Sequence, residues 1–471
     1  MLLKYFYNDK LAHASYLVGC QATGEAIIID PGRNVELYLE AAEANDMRIV
    51  AVTETHIHAD FVSGARELAE RTGARLYLSD EGDENWKYRY LDGYDHELVY
   101  DGSRFSIGNI HFQVMHTPGH TPEHISFLLT DGAAGDKPMG IFTGDFVFVG
   151  SIGRPDLLEK AAGIMGTAEA GARQMFRSVQ RFKQLPDYLQ VWPGHGAGSA
   201  CGKGLGAVPS STVGYEKMFN PMLQIEDEEA FVRALLEGQP ESPKYFAVMK
   251  RVNKEGPAVL GGLPVAPLLG ANRLPELVQQ GAQVIDTRPP GEFAEGHFPG
   301  TINIPLNYLA AWAGWLVDYD RPYYLIVDSE HLAEALGDLV YIGLDQAAGY
   351  FEPQALEVLV DAGFDLECYE VATPEEIADA IREQEVLLVD VRNESEWAEG
   401  RIPGAIHTML GYLPDRAEQL IDSKPIVVQC RTGGRSAIAA SLLQAKGAKK
   451  VINLAGGILR WEHVGLPVER G

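Results

Sequence analysis

The chain is poor in cysteine and has no long apolar run. Its four cysteines, Cys20, Cys201, Cys368 and Cys430, are scattered over 471 residues without paired spacing. That pattern excludes a disulfide framework and fits a reducing, cytoplasmic setting. No stretch approaches the ~20 apolar residues that cross a bilayer, so no membrane partner is expected. The first residues, Met1 to Asp9, lack a basic segment followed by an apolar core and do not read as a signal peptide. Positive charge is also scarce: 39 Lys and Arg stand against 66 Asp and Glu, a formal net charge of -27. Without a basic stripe to displace counterions, nucleic acid is not an expected partner. The acid excess reads as a solvated surface. The length predicts roughly two to four domains.

Histidine, by contrast, is concentrated: nine of the thirteen precede residue 200. In that part short apolar strands alternate with helical stretches, as at 26–29, 48–53, 110–115, 125–129 and 140–143. A helical pattern covers 35–44, and Ser63 is a candidate N-cap for a helix through Glu70. The strand 48–53 delivers the run His56-Ile57-His58-Ala59-Asp60-Phe61 to a loop. Three more segments present ligand-type residues at turns or strand ends: Thr117-Pro118-Gly119-His120, Thr143-Gly144-Asp145 and Pro193-Gly194-His195. Strand ends are where distant side chains converge, so these four segments point to a metal site. Phe61 has no lone pair to offer a metal.

These motifs, in this order, resemble the metallo-β-lactamase superfamily over residues 1–252, which implies an αββα sandwich. The superfamily's motif reads His-x-His-x-Asp-His and builds two metal sites; with Phe61 in the last position, one should be missing or crippled. Within the superfamily the resemblance is closest to the persulfide dioxygenases, which use one iron. That resemblance implies one Fe(II) per chain on His56, His120 and Asp145, with zinc as an alternative occupant on isolation. His58, Asp60 and His195 match ligands of two-metal relatives; here they are expected behind the iron ligands, orienting them or a water. Gly150-Ser151-Ile152-Gly153-Arg154-Pro155-Asp156 matches a family stretch that assigns Arg154 and Asp156 to the substrate side; a structural salt bridge is the bland alternative. The competing reading is a one- or two-zinc hydrolase of the hydroxyacylglutathione hydrolase type.

A Gly- and Pro-rich stretch, 253–272, reads as a linker. Beyond it the chain repeats itself. Asp286-Thr287-Arg288, Glu292-Phe293 and Gly296-His297-Phe298-Pro299-Gly300 match Asp390-Val391-Arg392, Glu396-Trp397 and Gly400-Arg401-Ile402-Pro403-Gly404, an offset of 104 residues. This predicts two copies of one small α/β domain, over 262–366 and 370–471. In the second copy an apolar strand ends at Cys430-Arg431-Thr432-Gly433-Gly434-Arg435-Ser436, and a helix follows. Such a loop can turn backbone N–H groups toward the sulfur beside a helix N-terminus. Those dipoles, with Arg431 and Arg435, favour a nucleophilic thiolate that can carry sulfane sulfur. A dual-specificity phosphatase loop places five residues between cysteine and arginine; here four separate Cys430 from Arg435.

The copy resembles the rhodanese family, with Asp390-Val391-Arg392 and Gly456-Gly457 also in place. In the first copy Asp328 is expected about where Cys430 stands, and a carboxylate cannot carry sulfane sulfur, so that copy reads as inactive. Cys20 and Cys368 read as small buried residues, and Cys201 as a candidate exposed one. Together the resemblances imply an α/β protein, a metallo-β-lactamase sandwich followed by two rhodanese-like domains. They imply oxidation of a low-molecular-weight thiol persulfide by dioxygen to sulfite and thiol, as in sulfide detoxification. Cys430 would exchange sulfane sulfur with sulfite or thiosulfate, and a homo-oligomer is expected. A sulfane-sulfur carrier without catalysis is the non-enzymatic alternative.

Overall fold

The computed structural model describes residues 1–157, 159, 167–239, 241–421 and 424–470. They form two compact units, one of Met1–Leu263 with Val340–Gly343, the other of Pro264–Leu339 with Leu344–Gly471.

The first unit is built on two sheets. One runs in chain order through β1 (Leu2–Asn8), β2 (His13–Cys20), β3 (Glu25–Ile29), β4 (Arg48–Thr53), β5 (Arg75–Ser79) and β6 (His96–Val99). The other contains β7 (Arg104–Ile107), β8 (Ile110–His116), β9 (Ile125–Asp131), β10 (Gly140–Gly144), β13 (Gln190–Pro193) and β14 (Ser211–Thr212), in the order β14-β13-β10-β9-β8-β7. A small hairpin of β11 (Val147–Phe148) and β12 (Ser151–Ile152) lies between in sequence.

The layering follows from strand periodicity. Successive side chains of a strand point to opposite faces. In β2, Ala14, Tyr16 and Val18 enter the core between the sheets, and Leu17 enters the core under the helices Glu36–Glu43 and Ala65–Thr72. In β3, Ile27 and Ile29 take the first core and Ala26 and Ile28 the second. The second sheet does the same: Phe142 and Trp192 face the inter-sheet core, while Ile141 and Val191 face the helix Thr167–Lys183. Both faces of each sheet are covered, which is why these strands read as unbroken apolar runs. The result is an αββα sandwich.

The second unit holds two sheets made of parallel strand pairs. β15 (Gln283–Asp286), β16 (Ile302–Asn303), β17 (Tyr323–Ile326) and β18 (Ala347–Phe351) pair in the order β16-β15-β17-β18. β19 (Glu370–Ala372), β20 (Leu387–Asp390), β21 (Ile406–His407), β22 (Ile426–Gln429) and β23 (Val451–Leu454) pair as β19-β23-β22-β20-β21. The repeat is visible in detail. Arg288 folds back on Asp286 and donates to the carbonyl of Gly296, and Arg392 does the same with Asp390 and Gly400.

Several local expectations change. Asp286 pairs with Ile326, and Asp390 pairs with Gln429. The residue after the strand in the first copy is therefore Val327, and it, not Asp328, stands where Cys430 stands. The strand-to-strand connection is one residue longer in the first copy, which shifts the match. Val327 is a buried aliphatic with no sulfur chemistry. Ser63 is not an N-cap: the helix Ala65–Thr72 follows Gly64, and the Ser63 hydroxyl accepts from Ala65 N. The helix Phe246–Glu255 runs into the expected linker and stops at Gly256, whose φ of 97° favours glycine. Cys368 is exposed and Cys201 is buried, the reverse of the expectation for each, because single-residue patterns say little about burial outside strands.

The Asp390–Arg392 pair is almost fully buried. Arg392→Ala should destabilise the second unit by about 3 kcal/mol, because it leaves a buried carboxylate unpaired. Urea titration should show a lower midpoint, and Asp390→Ala in the same chain should recover part of the loss. An unchanged midpoint in the single variant would refute this.

Candidate functional site

The loop after β4 is organised by Asp30, at the end of β3. Its Oδ1 accepts from Thr55 N at 2.6 Å, and its Oδ2 accepts from the Thr55 hydroxyl at 3.0 Å. With its proton given to Asp30, Thr55 Oγ1 must accept from His56 Nδ1, 3.0 Å away. The lone pair of His56 is then on Nε2. His120 sits in the turn between β8 and β9, and its Nδ1 donates to the carbonyl of Arg154 at 2.9 Å. Its lone pair is likewise on Nε2. Asp145 follows β10, with Gly144 at φ 48° making the turn. Its backbone N donates to His124 Nε2, and so His124 Nδ1 donates to the Thr117 hydroxyl.

These three elements bring His56, His120 and Asp145 together. Asp145 Oδ2 lies 3.5 Å from His120 Nε2 and 3.9 Å from His56 Nε2. All three ligand atoms fall within 4.8 Å of one another. His56 Nε2 and Asp145 Oδ2 are buried and have no hydrogen-bond partner among the described residues. Burial pushes the pKa of both histidines down, well down for His56, so both imidazoles are neutral and can donate a lone pair. Burial opposes ionisation of Asp145, but His195, by its charge and its hydrogen bond, outweighs it and holds the carboxyl well below its usual range. The set is a candidate metal site of two imidazoles and one carboxylate.

The neighbouring residues are arranged differently. His195 donates Nδ1–H to Asp145 Oδ1 and Nε2–H to Asp60 Oδ2, each at 2.7 Å. Burial disfavours its charge, yet the two carboxylates raise its pKa well above the ordinary value. Asp60, His195 and Cys201 also converge within 4.8 Å. Both His195 nitrogens are engaged, however, so no lone pair remains on its ring. His58 turns its Nε2 to Asp30 at 3.0 Å; burial lowers its pKa, Asp30 outweighs burial, and the net value is about 9. Phe61 is fully buried, its ring 3.8 Å from that of His13 and 4.4 Å from that of His58. His13 Nδ1 lies 2.7 Å from the hydroxyl of Tyr341, which belongs to this same unit. Arg154 and Asp156 form a buried pair, with Nε and Nη2 at 2.7 and 2.6 Å from the carboxylate. Arg154 also meets the candidate metal site through its backbone carbonyl, which accepts from His120.

In the second unit Cys430 directly follows β22 and is buried. Gly433 N–H donates to its Sγ at 3.1 Å and the Ser436 hydroxyl at 3.4 Å. Gly433, at φ 104°, caps the helix Gly434–Ala445, whose N-terminus faces the sulfur loop. Gly457 must lack a side chain, because a Cβ there would lie 2.1 Å from the Cys430 carbonyl. Arg431 is exposed. Arg435 is held by Glu396 through two bonds of 2.6 and 2.7 Å. Sequence reading missed Thr55, Asp30, His13 and Tyr341 as parts of these sites, and no motif in the sequence marks them.

The metallo-beta-lactamase superfamily matches residues 8–195, and the rhodanese-like domain family matches residues 271–357 and 373–463. A crystal structure of a metallo-beta-lactamase from Staphylococcus aureus is 44% identical, with a TM-score of 0.67, over 74% of this chain and 99% of that one. The chain belongs to the metallo-beta-lactamase superfamily. A hydroxyacylglutathione hydrolase of Rhodospirillum rubrum is 34% identical over 38% of this chain and 60% of its own length. A probable zinc-dependent hydrolase of polyketide biosynthesis from Bacillus velezensis is 26% identical over 48% of this chain and 88% of its own. The chain spans 60% of the length of two of the curated relatives it matches, the Rhodospirillum hydrolase and a beta-lactamase hydrolase-like protein of Xylella fastidiosa. Among the described residues of this superfamily member, no helix is long and apolar enough to cross a membrane.

Thr55 selects the tautomer of His56, so Thr55→Val should lower metal affinity about tenfold or more. Metal retained against graded chelator checks this; affinity equal to the parent chain would refute it.

Proposed function

We propose that the first unit is a mononuclear iron(II) persulfide dioxygenase and that Cys430 is a rhodanese-type sulfur carrier. The observation that carries the first part is the division of labour among the buried ligand-type residues. One triad has its ligand atoms free and converging, while His58, Asp60 and His195 are each bound to another protein group. Two imidazoles and a carboxylate suit iron(II) and leave coordination positions for other molecules. The metal would be held by His56, His120 and Asp145 and would supply the one-electron chemistry that dioxygen needs to react with a closed-shell sulfur compound. His195 holds Asp145 in place through Oδ1 and leaves Oδ2 for the metal. The Arg154 carbonyl and Thr55 hydroxyl hold the two imidazoles in their ligating tautomers.

The net reaction is RSSH + O2 + H2O → RSH + SO3²⁻ + 2H⁺, with a low-molecular-weight thiol as the carrier R. At the second site the Cys430 thiolate attacks the outer sulfur of a persulfide and releases RS⁻. Sulfite then attacks the outer sulfur of the Cys430 persulfide. The S–S bond breaks, its electrons return to Cys430, and thiosulfate leaves. The Gly433 N–H, the Ser436 hydroxyl and the helix N-terminus suit an anionic sulfur at each stage. The names of the Rhodospirillum and Bacillus relatives suggest a hydrolase instead, zinc-dependent in the Bacillus case. A two-metal hydrolase uses a hydroxide bridging its ions, and here Phe61 fills one ligand position while His195 has no lone pair to give.

Asp145→Ala should lose iron and persulfide-dependent oxygen uptake together, measured by metal analysis and an oxygen electrode. Two tightly held zinc ions in the natively purified protein would overturn the iron reading. Cys430→Ser should keep oxygen uptake and, given excess persulfide, accumulate sulfite where the parent chain accumulates thiosulfate. Equal thiosulfate yields from the two would mean that Cys430 does not serve sulfite.

A further inference from the structure

We propose that Tyr308, in the copy that lacks a cysteine, contacts the substrate of Cys430, its hydroxyl donating a hydrogen bond to the sulfonate oxygens of thiosulfate or sulfite. The proposal rests on the sulfur-transfer reading above and adds a specificity-determining residue to it.

Both copies lie in one compact unit. Tyr308 closes the short turn Leu306–Tyr308 and leads into the helix Leu309–Leu316. Its ring edge rests on Gly434: a Cβ at that glycine would lie 2.5 Å from the Tyr308 hydroxyl oxygen and 3.0 Å from Cζ. Gly434 opens the helix at the sulfur loop and directly follows Gly433, whose N–H is bonded to Cys430 Sγ. Glycine at 434 is thus explained by the tyrosine against it.

The placement of Tyr308 is held from both sides. Asn303 N donates to the Ser441 hydroxyl on the helix Gly434–Ala445 at 2.9 Å. Trp315 covers Gly411 so closely that a Cβ there would lie 2.1 Å from its ring, and it meets Tyr412 edge-on at 5.7 Å. Among the described residues no group takes the Tyr308 hydroxyl as a hydrogen-bond partner, and the side chain is half-buried.

The chemistry of the loop leaves a task for such a donor. Arg435 is neutralised by its two bonds to Glu396, so Arg431 is the loop arginine left to meet an anion. Thiosulfate and sulfite are dianions with three oxygens to satisfy. With S–S bonds of about 2 Å, a thiosulfate attacked by Cys430 carries its sulfonate roughly 4 Å beyond Sγ, and Tyr308 stands against Gly434, next to the glycine that donates to that sulfur. The transfer is Cys430-S⁻ + S2O3²⁻ → Cys430-S-S⁻ + SO3²⁻: the new S–S bond forms as the thiosulfate S–S bond breaks. The sulfonate keeps its oxygens throughout, so a donor placed there acts in both directions. The copy without cysteine is then part of the sulfur site.

Tyr308→Phe removes the hydroxyl and keeps the ring on Gly434. In the full chain it should raise KM for thiosulfate about tenfold in sulfur transfer to cyanide, with kcat within twofold of the parent. Transfer from an alkyl persulfide, which has no sulfonate, should be unchanged. A second measurement needs no sulfur transfer: the rate of Cys430 alkylation by anionic iodoacetate relative to neutral iodoacetamide, followed by mass spectrometry of the Cys430 peptide. That ratio should fall several-fold in Tyr308→Phe. An unchanged thiosulfate KM with an unchanged ratio overturns the proposal, and so does equal impairment with thiosulfate and alkyl persulfide. A parent chain that transfers no sulfur from any donor would refute the Cys430 reading, while the alkylation ratio would still decide on Tyr308.

Discussion

The arrangement of the first site depends on His195 lying between Asp145 and Asp60. One imidazolium donates to both carboxylates, and each bond reinforces the other in a medium that excludes water. The consequence for Asp145 is directional: Oδ1 is taken and Oδ2 is turned to His56 and His120. The consequence for Asp60 and His195 is that two groups able to bind a second ion bind each other. Phe61 packs its ring on His13 and His58 beside them and offers no lone pair.

Around that core the first unit uses backbone groups and hydroxyls to set proton positions. Asp30 receives the Thr55 proton, Thr55 receives the His56 proton, and the Arg154 carbonyl receives the His120 proton. A metal triad of this kind needs both imidazoles neutral and turned the right way, and burial together with these partners supplies both conditions. The second unit solves a different problem with one fold used twice. The buried Asp–Arg pair recurs in both copies because it ties a strand end to the following loop. The loop after the next strand differs, with Val327 in one copy and Cys430 in the other.

Much of this was legible in the chain. The αββα layers follow from strands that are apolar on both faces, and the two smaller domains from a repeat at a constant offset. The residues His56, His120, Asp145 and Cys430 stand at strand ends inside short motifs, which local sequence displays. Thr55, His13, Tyr341 and Tyr308 were not legible as site residues. Each acts on a partner far away in the chain, or through a hydroxyl or ring whose role exists only once the partner is beside it. The match of Asp328 to Cys430 failed by one residue for a similar reason: motif alignment does not count residues across a connection, and strand register does.

The sequence by itself determined which chemical groups were present and where the strands would carry them. It put a phenylalanine directly after the run from His56 to Asp60, one cysteine in a glycine-rich loop and no cysteine in the matching copy. Only the tertiary structure decided how those groups are used. Lone pairs, tautomers and charge states depend on hydrogen bonds between residues that are distant in sequence. Those bonds have geometry and strength only after burial has removed the competing water.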